Sequence, residues 1–179
     1  KSLKTIRLIT LYSCLGALIF ALKMVMAPFP NIEPVTLMVI VLGSTLGIQS
    51  IWVILIYILC EVLTWGANIW VLNYLYLWPL LLVISCLLRK SNSAFVYACT
   101  AALFGYCFGA FCAIPMIFIS GISGAIAWWQ SGVLFDLIHG TSNFILVLIL
   151  YRPLHKVLSE LLNDLFSLKG AVKFLTVQK

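Results

Sequence analysis

The chain has 179 residues, of which 64% are hydrophobic and only 9% charged, with a mean hydropathy of +1.15. Soluble domains carry about 45–50% apolar and about 25% charged residues, so a water-soluble fold of this size would lack the polar side chains to cover itself. Disorder and coiled coils need charge that this chain does not have. The composition predicts an all-α integral membrane protein, a single membrane domain over residues 1–179. The net charge of +6 is no nucleic-acid footprint, because the basic residues sit at the chain ends and in one loop rather than on a water-facing patch.

A helix that crosses a bilayer needs about 20 mostly apolar residues, which leaves room for about six. The first predicted span covers approximately residues 8–27. Lys1-Ser2-Leu3-Lys4 ahead of it imitates a secretory signal, but the apolar run is too long for an h-region, so it is read as a retained first helix. It stops at Pro28-Phe29-Pro30-Asn31-Ile32-Glu33-Pro34, where three prolines forbid helix. A short second span, 35–46, breaks at Gly43 and Gly47. The third, 51–65, ends at Gly66, and the fourth, 69–88, holds Pro79 as a kink. A polar loop, Arg89-Lys90-Ser91-Asn92-Ser93, precedes the fifth span, 95–119. Residues 120–132, rich in Gly and Ser and carrying Trp128-Trp129, read as an interfacial loop before the sixth span, 133–151. Pro153 then opens an amphipathic tail over 154–168, with Leu154, Val157, Leu158, Leu161, Leu162, Leu165 and Phe166 on one face. That tail is expected on the inner leaflet or against a partner.

Ten of the eleven Lys and Arg residues fall at the N-terminus, in the Arg89 loop or after the sixth span. The positive-inside rule places both termini in the cytoplasm. Lys23 is the exception, in the outer part of span one. The six cysteines lie inside apolar runs without metal-binding or disulfide spacing and read as small hydrophobes.

Outside the tail the chain has three carboxylates, Glu33, Glu61 and Asp136, all predicted in the outer half. Ionisable groups at membrane depth need a partner or a cavity. Glu61, Trp65 and Asn68 share a helical face, as do Asp136, His139 and Asn143. Trp65, Trp70, Tyr74, Tyr76, Trp78, Trp128 and Trp129 crowd the same level. They read either as an interfacial aromatic belt or as the walls of an outward pocket with polar anchors. The expected substrate-binding residues are Asn31, Glu33, Glu61, Trp65, Asn68, Asn73, Tyr74, Asp136, His139 and Asn143. A metal site is not expected, since His155, the only other histidine, lies at the opposite side. No Walker motif is present, and neither a catalytic residue nor a bound cofactor is expected. Small residues recur on span one (Ser13, Ala17, Ala21) and on span five (Ala101, Gly105, Gly109, Ala113), where they read as contacts between helix backbones.

Six short spans, Ala17-Leu18-Ile19-Phe20-Ala21 on the first, the Pro30-Asn31-Ile32-Glu33-Pro34 loop and basic inner ends together resemble the S component of an energy-coupling factor (ECF) vitamin transporter. The resemblance covers nearly the whole chain. It implies a substrate-capture subunit in a prokaryotic cell membrane that is not itself an enzyme, with two cytoplasmic ATPase subunits as partners. It also implies that Ala17 and Ala21 dock on a transmembrane coupling subunit, and that the Pro-rich loop gates a vitamin bound from outside. The ligand expected from few charges and many aromatics is cobalamin, with pantothenate, a queuosine precursor, pyridoxine and folate left open. An intramembrane enzyme using Asp136 and His139, or an assembly factor, are the competing classes.

Overall fold

The computed structural model describes residues 2–29 and 31–166. Lys1, Pro30, Lys169, Lys173, Lys179 and the end of the tail at Leu168 lie outside the described residues. Among those described there are seven α-helices and no strand: α1 (Ser2–Met26), α2 (Val35–Thr45), α3 (Ile51–Trp65), α4 (Ile69–Leu87), α5 (Ala94–Tyr106), α6 (Phe108–Cys112) and α7 (Ile114–Phe166). Four stretches are long and apolar enough to cross a membrane: Thr5–Met26, Gly47–Trp65, Ile69–Lys90 and Ile114–Phe166.

Each break has a local cause. Gly66 ends α3 at φ 73° and ψ 174°, a positive-φ extended conformation open essentially to glycine alone. Asn68 starts α4 by accepting the amides of Trp70 and Val71 at 2.9 and 3.2 Å, an Asn N-cap. Pro79 does not stop α4, which continues to Leu87.

The second half departs from the expected segmentation. The fifth predicted span is divided among α5, α6 and the first turns of α7, and residues 120–132 are helix rather than loop. Their glycines and serines are compatible with helix among apolar neighbours, and the one break is Gly121 at φ 74°. Pro153 does not interrupt α7 either, so the sixth span and the tail form one rod. The tail lies against its own bundle. Leu154, Leu158, Leu162, Leu165 and Phe166 pack on the core, and Arg7 Nη1 donates to the Leu165 carbonyl at 2.9 Å. Val157 and Leu161, from the same predicted apolar face, are exposed.

At the centre stands α2. Every residue from Val35 to Ser44 is buried, the mark of a helix enclosed by others. It is about 16 Å long, too short to cross a bilayer core of about 30 Å by itself. The exterior is apolar instead: Leu63, Leu87 and Phe118 are 76%, 78% and 87% exposed, a surface suited to lipid rather than water.

Glycine sets the closest contacts. A Cβ on Gly105 of α5 would lie 2.7 Å from the Gly140 Cα of α7, and one on Gly140 would enter the Tyr106 ring. Gly16 of α1 would meet Ile56 of α3 at 2.7 Å. The small residues of the fifth segment therefore serve internal packing. Gly105→Val is expected to destabilise by about 1–3 kcal/mol through overpacking, read as a lower melting temperature in detergent. Gly132→Ala, whose Cβ meets nothing within 4 Å, should be neutral or stabilise by about 0.5–1 kcal/mol.

Candidate binding site

Where α1 ends and α3 and α4 present their aromatic residues opposite His139 of α7, the bundle holds a half-open chamber of about 370 Å³. Its lining comes from the end of α1 and the connection after it (Lys23, Ala27, Phe29, Asn31, Glu33), from α3 and α4 (Tyr57, Trp65, Trp70, Tyr74, Trp78), and from Phe108 and His139. A side chamber of about 310 Å³ shares Lys23, Trp65, Trp70 and Tyr74 with it and adds Glu61, Asn68 and Val71.

Two ionisable pairs hold this end together. Lys23 Nζ lies 2.7 Å from Glu61 Oε1 and donates to the Tyr74 hydroxyl at 3.3 Å. The ammonium also sits 4.9 Å from the Tyr74 ring centre and 5.9 Å from that of Tyr57, so aromatic faces share its charge. Across the chamber His139 Nε2 is 3.3 Å from Glu33 Oε1, within ion-pair distance but without hydrogen-bond geometry.

Glu33 also organises the loop. It accepts from the Val35 amide at 2.5 Å and from the Thr36 hydroxyl at 2.8 Å, using the unpaired donors of the first turn of α2. Thr36 Oγ1 in turn accepts from Asn143 Nδ2 at 3.2 Å. Nearby, Ser142 Oγ donates to the Asn31 carbonyl at 3.0 Å, where Asn31 has a φ of 60°. The loop is thus tied to α7 through both backbone and side chain. Burial by itself pushes the Glu33 carboxyl up, but the His139 ring and the Thr36 and Val35 donors outweigh it and hold the group below its ordinary value.

Of the expected residues, Asn31, Glu33, Trp65, Tyr74 and His139 line the main chamber, and Glu61 and Asn68 the side chamber. Asn68 Oδ1 is engaged in capping α4. Asp136, Asn73 and Asn143 are buried but belong to neither lining. Asp136 Oδ1 accepts from the Gly109 amide in the first turn of α6 at 2.9 Å, and a Cβ at Gly109 would collide with its carboxylate. Asn73 Oδ1 and the Phe111 carbonyl share the single Tyr76 hydroxyl proton, at 3.0 and 2.7 Å, which fastens α6 to α4. Asn143 braces Thr36. All three position the site's supports rather than its lining.

Tyr57 and Phe108 line the chamber without having been expected there, and Trp78, expected only as one of the aromatics forming either a belt or the pocket walls, lines it as well. Tyr57 lies four residues before Glu61, and Trp78 four after Tyr74, so the helical period extended one turn would have found both. Phe108 had no such signal, since its place follows from the break at Cys107. Among the described residues no group of three or more His, Cys, Asp or Glu is gathered to hold a metal ion.

No family model, curated protein or solved structure significantly matches the chain.

Breaking the buried pair alone is costlier than removing it. Lys23→Met leaves Glu61 buried without its partner; with Lys23 26% exposed, a loss of about 2 kcal/mol is expected. The double variant Lys23→Met/Glu61→Met should recover most of it, measured by melting in detergent. Because the folded value of Glu33 is depressed, its contribution is complete above the ordinary value of 4.5 and lost as pH falls through the lowered one. Glu33→Gln should flatten that acid limb of a melting-temperature profile.

Proposed function

We propose that the chain is the S component of an ECF-type vitamin transporter, a six-span subunit of a prokaryotic cell membrane. In this reading the Arg89 loop and both termini are cytoplasmic, as the positive charges require. Six crossings follow if α5, α6 and the start of α7 as far as Gly121 are taken as the fifth and the helix beyond Gly121 as the sixth. The chamber end then faces outside, and the 27–34 connection is its gate.

One observation carries the reading: an aromatic-walled chamber of about 370 Å³ whose lining holds Lys23, Glu33 and His139, with Glu61 beside Lys23 in the side chamber, covered on one side by a loop held by a few polar contacts. Such a mix of apolar wall and few convergent polar groups is what small-molecule sites share. Its volume lies at the lower end of the ~300–1,000 Å³ typical of them. This favours a compact micronutrient such as pyridoxine, pantothenate or a queuosine precursor over the larger cobalamin and folate. The docking surface is supported by α1, where Ser13, Ala17 and Ala21 are exposed while Leu15 and Ile19 face the core. A stripe of small residues left uncovered lets another helix approach closely; a transmembrane coupling subunit is its proposed occupant, with two ATPase subunits below. Asp136 is engaged by the Gly109 amide and His139 sits by Glu33, which supports structural and binding roles over an acid–base pair.

A thermal-shift screen of the purified chain against cobalamin, pantothenate, pyridoxine, folate and queuosine precursors tests capture; one of them should raise the melting temperature by several degrees. Ala17→Trp and Ala21→Trp should keep that shift and abolish uptake in cells that supply the coupling module. Unchanged uptake in both variants removes the docking assignment.

A further inference from the structure

Among the described residues six buried side-chain polar atoms have no hydrogen-bond partner. Three of them, Asn73 Nδ2, Asp136 Oδ2 and Asn143 Oδ1, belong to residues outside the chamber lining. The other three, Tyr57 Oη, Trp78 Nε1 and His139 Nε2, belong to residues that line the main chamber. These residues are 1%, 2% and 3% exposed. Leaving a buried donor unpaired is costly, and natural structures hold few such groups. His139 Nε2 faces the Glu33 carboxylate at 3.3 Å, which leaves the Tyr57 hydroxyl and the Trp78 indole around one hollow to ask for a common partner.

The chemistry of that partner is restricted. An indole N–H can only donate, so whatever meets Trp78 is an acceptor. The Tyr57 hydroxyl can supply a second donor to it, since the two rings are neighbours, 6.4 Å between centres. Around them Tyr74 and Phe108 stand 5.6 and 5.9 Å from Trp78, offering faces for a flat ring. A carboxylate would be a poor occupant. Lys23 is already paired with Glu61, and the other acid of the lining, Glu33, sits beside His139, so no unpaired cation among the described lining residues is left to hold an anion in a weakly screened site.

We propose that the chamber binds a neutral, flat heteroaromatic molecule whose ring carbonyl or ring nitrogen accepts hydrogen bonds from Trp78 Nε1 and Tyr57 Oη. The assignment rests on the capture reading above and narrows its substrate class. Pantothenate, an acyclic anion, is thereby disfavoured.

The test uses the full chain in detergent with defined probes. Lumichrome, nicotinamide and hypoxanthine are neutral rings with acceptors, nicotinate and pantothenate are anions, and cobalamin is bulky. At least one neutral ring should raise the melting temperature of the wild type. Trp78→Phe and Tyr57→Phe should each weaken its Kd about three- to tenfold, the loss of one hydrogen bond. Should Trp78→Phe not fold, Tyr57→Phe, which lacks a single oxygen, decides. Stabilisation by the anions or cobalamin alone overturns the neutral-ring class and leaves capture standing. A neutral ring bound equally well by both variants overturns the hydrogen-bond assignment. No shift with any probe removes the capture reading itself.

Discussion

A carboxylate inside an apolar bundle must find a cation, a hydrogen-bond donor or water, because its charge is costly to strand in a medium of low dielectric. The three carboxylates outside the tail each meet this constraint differently, and much of the architecture follows. Glu61 takes Lys23 and ties α1 to α3. Glu33 takes the first turn of α2 and the His139 ring, joining the 27–34 connection to α7. Asp136 takes the Gly109 amide and fixes the short α6 across α7. Remove these three attachments and the helices that bound the chamber lose their mutual registration.

Close backbone approach supplies the rest. In lipid, association of helices gains little from hydrophobic burial and depends on packing and on polar contacts. Here Gly105 faces the Gly140 backbone, so α5 lies along α7 with no side chain between them at that point, and Gly16 leaves room for the Ile56 side chain between α1 and α3. This closeness encloses α2 on every side. The exposed face of α1 is the contrast: Ser13, Ala17 and Ala21 are equally small but uncovered, which is why the proposed function gives them a partner.

Part of the site was readable in the residue pattern. Glu61 and Trp65 share a helical face by spacing, and they do border the hollow. Lys23, as the lone cation at that level, was the evident partner for a carboxylate. The same reasoning placed Asp136, His139 and Asn143 on one face, and only His139 lines the chamber. Seven residues of helix extend about 10 Å, long enough for one face of α7 to meet three neighbours in turn. Periodicity reports which side of a helix a residue occupies, not which element lies opposite.

From the sequence alone come the apolar, all-helical character and the scarcity of charge, together with the breaks at Gly66 and the Pro-rich connection, because composition and backbone restriction act locally. The tertiary structure decided that residues 120–132 continue a helix, that the tail extends α7 and packs beside Arg7, and that Tyr57, Trp78 and His139 surround one hollow. Those outcomes depend on which helices pack together. Such packing is a property of surfaces meeting across long stretches of chain, to which no local pattern of residues gives access.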